Sequence, residues 1–335
     1  MRPEITPQWS VQSLERMLSR YPVPLPPEHI RLLPGGFDNL NLLVVTHGCR
    51  VVVRRYDVTP EAEVGFELKL VEHLCKCGIP TAPVIPRRDD TLLTKMDGRP
   101  AAVFRFVEGE HPKQGDLVVG QRVSEALAQL HVATCNFHSP VFRTRTDSHY
   151  LIRLEVALRA RMARSPNDRG LTVLANDLAW LRSVLIARFA PFRSALPSGV
   201  VHHDPHADNV ILNRCGGVAA LLDFDTAHAA YLVTDLAALL FYWARDEHTG
   251  GLDLASALPL LRAYNRIRPL QGAEWQVLPT AVLRYFAAVA AEYITGRWRH
   301  ERESTPVLDC WAYEGFRSLR ADDAWASALM ASAPQ

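Results

Sequence analysis

Between Val200 and Thr226 the chain reads VVHHDPHADNVILNRCGGVAALLDFDT, its densest run of side chains able to do chemistry. Asp204 stands five residues before Asn209, and the apolar trio Val210-Ile211-Leu212 follows directly. A second apolar stretch, Leu221-Leu222, runs into Asp223-Phe224-Asp225. Moving a phosphoryl group from ATP to a hydroxyl requires a carboxylate that orients the hydroxyl and accepts its proton, and oxygen ligands for magnesium on the phosphates. Asp204 suits the first task. Asn209 and Asp223 suit the second, because magnesium prefers oxygen donors and takes few of them from protein; Asp225 stays open as a sharer in the metal site. Asp223 ends an apolar strand, where a carboxylate needs a cation or hydrogen-bond donors to be tolerated.

The same stretch admits a different chemistry. His202, His203 and His206 with Asp204 are imidazole and carboxylate groups of the kind that hold zinc, which would make a zinc hydrolase. The downstream Asp223-Phe224-Asp225 has no place in such a site and favours phosphoryl transfer. His228 reads as a packing or capping residue. Asp235, ahead of Leu236-Ala237-Ala238-Leu239, reads as a helix N-cap.

These residues need elements to hold them. Trp9, Val11, Leu14, Leu18 and Tyr21 fall near helical spacing, with Ser10 as cap, before a proline-rich break at 22–27. Residues 40–46 and 51–56 are β-rich runs around a turn at His47-Gly48-Cys49-Arg50, which predicts a hairpin. Pro60 to Cys77 is helical, with Glu67, Leu70, Val71 and Leu74 on one face, and Gly78 ends it. Short strands follow near 91–95 and 101–107 through the turn signal Asp97-Gly98. Beyond residue 109 the pattern is helical over 116–132, 150–163, 171–190, 235–245, 254–266 and 274–297, with one β-like island at 200–224. The organisation expected is a helical extension over 1–30, a nucleotide-binding β-rich lobe with one helix over 31–108, and a larger, mainly helical catalytic and substrate-binding lobe over 109–335.

An Asp five residues before an Asn, with a later Asp-Phe, is also the order of a protein-kinase catalytic loop. His202-x-Asp204-x-His206-x-x-Asn209 followed by Leu222-Asp223-Phe224 resembles the aminoglycoside phosphotransferase and choline kinase superfamily, above all its bacterial homoserine-kinase branch. Gly35-Gly36-Phe37-Asp38-Asn39-Leu40-Asn41 resembles the nucleotide-side loop of that branch. Leu127-Ala128-Gln129-Leu130-His131 resembles its connector helix, and Tyr264 to Leu270 with Glu274 resembles its later helices. The resemblance runs from about residue 32 to about residue 297. It implies an α+β, two-lobed protein-kinase-like fold and an ATP- and Mg2+-dependent kinase acting on a small-molecule hydroxyl. It also implies that Asp235 braces the catalytic loop, which is compatible with a capping role.

On the nucleotide side there is no Gly-x-Gly-x-x-Gly; Gly36 and Asn39 belong to the loop expected to approach the phosphates, where glycine lets backbone come close. Kinases place a lysine on the following strand, and the matching position here is Arg54. Alternation puts Arg54 and Arg55 on opposite faces, with valines on both, so pattern alone does not choose and the family match selects Arg54. Glu67, on an apolar helix face, needs a cation, and Arg54 from the adjacent strand is the expected partner. Adenine is expected at the connector between lobes, around Phe106 and Val107.

Composition bounds the rest. With 335 residues, 48% of them apolar, and a net charge of +1, the chain reads as a two-lobed globular protein without the basic field that nucleic acid requires. Six cysteines show neither zinc-knuckle spacing nor a disulfide framework, which suits a reducing cytoplasm. The N-terminal stretch lacks the apolar core of a signal peptide, and no uninterrupted apolar run approaches membrane-spanning length. For the acceptor, Asp246, Glu247, Asp253 and Glu292 could serve a polycation such as an aminoglycoside. Arg245, Arg262, Arg266, Arg268 and Arg284 outnumber them and favour an acceptor with a carboxylate, homoserine or a related amino acid or amino alcohol. Trp243, Tyr264 and Trp298 read as core rather than cage. A catalytically weak ATP-binding pseudokinase is a remaining alternative, prompted by arginine at position 54; the intact Asp204, Asn209 and Asp223 oppose it.

Overall fold

The computed structural model describes residues 9–33, 39–139, 147–300 and 306–333, the side chains of 147 and 297–300 excepted. Helix α1 (Val11–Leu18) starts at Ser10, whose hydroxyl accepts the Ser13 N–H, the side-chain cap that a first-turn donor calls for. Six strands then build one antiparallel sheet: β1 (His29–Leu32), β2 (Asn39–Thr46), β3 (Cys49–Tyr56), β4 (Val84–Ile85), β5 (Thr94–Met96) and β6 (Arg99–Arg105). Their order is β1-β2-β3-β6-β4, with β5 paired to β6. The sequence pattern missed β1 and β4. The first carries no clean alternation and the second is two residues long, too short for a period to show.

Alternation along the β2–β3 hairpin sorts its side chains onto two faces. Leu40, Leu42, Val44, Val51 and Val53 face α1 and pack with Leu14, Met17, Leu18 and Tyr21. The helix expected as an extension is therefore a layer of the sheet unit. Arg55 shares that face and pairs with Asp57 and Asp97 at 2.7 and 3.2 Å. The opposite face carries Val52, Arg54 and Tyr56 and is covered by α2 (Glu61–Lys76) through Phe66, Leu70, Val71 and Leu74. The register pairs Asn41 with Arg54, so both look toward α2.

Past Arg105 the chain is mostly helical. In order come α3 (Leu117–Ala133), α4 (Asp147–Arg164), α5 (Arg169–Val184), β7 (Ser198–Val201), β8 (Val210–Leu212), β9 (Val218–Leu221), β10 (His228–Tyr231), α6 (Val233–Trp243), α7 (Leu254–Ile267), α8 (Gly272–His300), α9 (Trp311–Ala321) and α10 (Ala324–Ala331). The helix expected over 171–190 leaves the α form at Leu185, passing through a wide π turn and a 3-10 turn to Ala195. Pro191 explains this, since its ring clashes with a carbonyl four residues back. Helix α6 is apolar almost all round and buried along nearly its whole length, the signature of a central core helix. Two helical stretches, 169–195 and 272–296, are long and apolar enough by composition to cross a membrane, which amends the sequence expectation. The second is 78% buried inside the protein, as a core helix is. Strand β7 pairs with β10 and β8 with β9, both antiparallel, and these two ribbons frame the loops 202–209 and 222–227.

Candidate active site

The loop from His202 to Asn209 is held by its backbone. His203 has φ +72°, a conformation that costs a non-glycine residue free energy unless neighbours impose it. Asp235, in the first turn of α6 and fully buried, imposes it by accepting the N–H groups of His202 and His203, each at 2.7 Å. Its Oδ2 also receives His131 Nε2 at 2.9 Å. Burial would raise the Asp235 pKa, but the His131 hydrogen bond and the nearby imidazoles outweigh it and hold the carboxyl below its ordinary range. Asp235 is thus a brace for the loop and not the cap of its own helix; Leu232 occupies the cap position. The far side of the loop is tied by Tyr285, whose hydroxyl donates to His203 O at 2.9 Å, and by Trp243 Nε1 donating to Pro205 O at 2.7 Å. From the segment before α3, Gln114 accepts Ala207 N–H at 2.9 Å.

This scaffold fixes Asp204. Tyr242 donates to its Oδ1 at 2.6 Å, Asn209 Nδ2 donates to its main-chain O at 2.9 Å and its Oδ2 at 3.3 Å, and His206 Nε2 lies 3.5 Å from Oδ2. Burial works to raise the Asp204 pKa, yet the His206 and Tyr242 contacts prevail and keep it below the usual carboxylate value. The reciprocal effect raises His206: partial burial opposes its charge, and Asp204, with Asp208 and Asp223 behind it, overrides that. A carboxylate that is ionised, positioned from both oxygens and open to the cleft on one side can receive a hydroxyl proton.

Asp223 reaches the same region from the β8–β9 ribbon. Leu222 N–H bonds to Asn209 O at 2.8 Å, which ties the segment bearing one candidate metal ligand to the other. Asp223 adopts φ +61°, a left-handed conformation that Asp tolerates better than most residues. Arg54 meets it from the sheet: Nη1 lies 2.8 Å from Asp223 Oδ1 and 3.5 Å from Glu67 Oε1, while Nε donates to Asn41 Oδ1 at 3.0 Å. Glu67 is buried and also accepts the Tyr56 hydroxyl at 2.9 Å. Burial disfavours the Arg54 charge, but Asp223, Tyr56 and Glu67 raise its pKa further still, so the guanidinium is charged throughout. Asn39 Nδ2 lies 3.4 Å from Asp225 Oδ2, and Asn39 Oδ1 is buried without a hydrogen-bond partner among the described residues.

The structure therefore gathers Asp204, Asn209, Asp223, Arg54, Glu67 and Asn39 between the sheet and the helical part. Gly36 lies outside the described residues, as does the Trp298 side chain. Phe106 and Val107 sit half-buried on the connector; Arg50 lies 4.9 Å over the Phe106 ring and pairs with Glu108. The histidines do not converge. His202 Nε2 meets Leu222 O, His203 packs against the rings of His228 and Tyr285, and His206 turns to Asp204. Among the described residues no group of three His, Cys, Asp or Glu is placed to hold a metal, which leaves the zinc alternative without a site. Several charges weighed for the acceptor are structural: Arg268 forks onto buried Glu274 at 3.0 and 3.2 Å, Arg266 pairs with Glu125, and Asp253 caps α7. Tyr242 was missed, and Asn41 was quoted only within the loop resemblance and not as the partner of Arg54. The first stands seven residues after Asp235, hence on the same helix face, and the second lies opposite Arg54 in the hairpin register, so helical spacing could have found the one and counting from the turn the other.

For a hard divalent cation the available donors fit. Asn209 commits its amide N–H groups to Asp204 and keeps its carbonyl oxygen as an acceptor. Asp223 contributes a carboxylate. Oxygen-only sets of this kind suit magnesium or calcium and not zinc or copper.

A β-sheet unit with one covering helix pressed on each face, a helical unit, and a carboxylate–asparagine loop beside a second acidic strand end define a phosphotransferase of protein-kinase-like architecture. The chain belongs to the phosphotransferase enzyme family, whose model matches residues 29–270. It is 30% identical over 258 residues to the homoserine kinase of Rhizobium etli, covering 75% of this chain and 76% of that one. With the homoserine kinase of Caulobacter vibrioides it shares 29% identity over 288 residues, 84% and 87% of the two chains. Among solved structures, the amicoumacin kinase hAmiN, in complex with AMP-PNP, Ca2+ and Ami, superposes with a TM-score of 0.68 at 13% identity, covering 100% of this chain and 97% of that one. The fold is shared across that distance. The enzyme is a kinase that acts on a hydroxyl group.

Proposed function

We propose that this kinase transfers the terminal phosphoryl group of ATP to the side-chain hydroxyl of a small hydroxy amino acid, homoserine first among them. The observation that carries the reading is the meeting of Arg54 with Asp223 at 2.8 Å, which brings the sheet's buried cation onto the acidic strand end beside Asp204. Asp204 accepts the proton of the acceptor hydroxyl, and Tyr242 holds it in place. Arg54, steadied by Glu67 and Asn41, serves the phosphates, with Asn39 beside them and the connector at Phe106 and Val107 receiving the adenine. Asn209 and Asp223 would hold magnesium, which when bound neutralises charge on the phosphate oxygens. The relatives named homoserine kinase support the choice of acceptor. Six free cysteines support a cytoplasmic, reducing location, and neither nucleic acid nor membrane is a partner in this reading.

The test is ADP release by the purified full-length protein with ATP and Mg2+ against homoserine, choline and an aminoglycoside. Homoserine should lead in kcat/KM by at least about tenfold, a difference of ~1.4 kcal/mol in transition-state binding. A lead by the aminoglycoside would replace the acceptor assigned here.

A further inference from the structure

Arg182, Arg266, Arg268 and Arg320 on the helical side pair with carboxylates, but Arg245 does not. Its guanidinium lies 4.4 Å from the centroid of the Trp311 ring and 5.9 Å from that of Phe241, and among the described residues it makes no ion pair. It lies two residues past the end of α6, whose Tyr242 donates to Asp204 Oδ1 at 2.6 Å, and the Phe241 ring near its guanidinium lies 5.1 Å from the Tyr242 ring. Tyr293 of α8 continues the wall, its ring 5.0 Å from Trp311. Tyr293 is 46% exposed and Trp311 40% exposed, so the aromatic surface is open to a small molecule.

The position is built, not incidental. Asp246 Oδ1 accepts the N–H groups of His248 and Thr249 and the Thr249 hydroxyl, and Arg245 bridges Leu252 through the backbone. That tight turn brings Gly250 against α9 at Gly315, where any Cβ would overlap the Gly250 carbonyl oxygen. Close approach of turn and helix sets Trp311, at the start of α9, under the guanidinium. The stacked geometry leaves the planar N–H edge free to form two parallel bonds to a carboxylate.

We propose that Arg245, stacked on Trp311, is the specificity-determining residue that reads the carboxylate of the acceptor amino acid. The proposal rests on the hydroxy-amino-acid reading above and assigns the residue that enforces it.

The experiment compares homoserine with 3-aminopropan-1-ol, the same molecule without its carboxylate, as acceptors for the full-length enzyme and for Arg245→Gln and Arg245→Lys. In the wild type homoserine should be preferred. In Arg245→Gln the ratio of kcat/KM for the two acceptors should fall about 10- to 100-fold, chiefly through KM for homoserine, as loss of a charge-assisted bond predicts. Arg245→Lys, which keeps the charge, should retain more of the ratio. If Arg245→Gln slows both acceptors equally, the arginine only fastens α9 and the proposal is wrong. It is equally wrong if the wild type uses the amino alcohol as well as homoserine, an outcome that leaves the hydroxyl-kinase reading standing. Turnover of neither acceptor would overturn the proposed function and this assignment together.

Discussion

At the scale of single residues, the site works by pushing neighbouring groups in opposite directions. Asp204 lies below its ordinary pKa and His206 above its own, so each holds the other charged. Asp204→Asn keeps the shape and the Tyr242 contact but cannot accept a proton; kcat should drop at least about 10²-fold, the usual weight of a positioned base, with ATP affinity retained by calorimetry. The pair also makes a stability prediction with a definite sign. A group whose folded pKa is raised contributes stability that is complete below its unfolded value, near ~6.5 for histidine, and is lost as pH climbs through the folded value. Unfolding midpoints of the wild type and His206→Gln should therefore lie furthest apart below pH ~6 and draw together as the pH climbs through the raised folded value. A gap independent of pH would show that the imidazole is neutral in the folded protein. Asp223→Asn retains a residue at ease with φ +61° while removing the charge. The protein should fold, and calorimetry should show Mg2+-dependent ATP binding lost; unchanged affinity would shift the role to Asp225.

At the scale of elements, what decides the site is which face a side chain takes. The β2–β3 hairpin was legible from its alternation and its glycine turn, yet the choice between Arg54 and Arg55 was not, because valines flank both. The structure separates them by what covers each face, α2 with buried Glu67 on one side and α1 on the other, and such packing is a tertiary fact that no local period carries. The catalytic stretch was legible because its chemistry is concentrated within 200–226. The strand β10 that completes its frame was not, since His228–Tyr231 is short and lacks an apolar period. Asp235 illustrates the limit best: beside a leucine-alanine run its pattern reads as a cap, the bracing role came only from the family resemblance, and it is the fold that brings His131 and two backbone N–H groups to it. Asp235→Ala would strand those donors in a dry interior, at a cost of about 3–5 kcal/mol, as when one partner of a buried pair is removed. Denaturant melts should show that loss, with activity falling as well because His203 no longer has what holds it at φ +72°. Arg54→Lys acts within one element pair too: a lysine cannot reach Asn41, Glu67 and Asp223 together with a planar fork, so KM for ATP should rise with little change in KM for the acceptor.

At the scale of the whole molecule, the sheet unit and the helical unit share one apolar cluster and several polar ties, and the connector carries one of these ties. Glu110 exchanges backbone hydrogen bonds with Leu212 at 2.9 and 3.1 Å, so the chain leaving the sheet is stitched to β8, the strand that directly follows the candidate metal ligand Asn209. Gly109 permits that stitch in two ways. Its φ is +149°, and a Cβ placed there would overlap the Leu212 carbonyl oxygen and the Ile211 methyl. Gly115, at φ +80°, has nothing within 4 Å of the same added atom. The pair separates backbone strain from lost contact. Gly115→Ala should cost only the left-handed conformation, about 1–2 kcal/mol in a denaturant melt, with ATP affinity untouched. Gly109→Ala must push the connector off β8, moving the adenine-side backbone relative to Asn209 and Asp223. It should weaken ATP binding by about tenfold or more, an expectation from the steep dependence of a positioned site on ångström-scale shifts. Calorimetric titration of Mg2+-ATP into both variants decides the matter: equal affinities would mean that the two units are aligned elsewhere, by Arg54 with Asp223 or by Leu221 with Pro80.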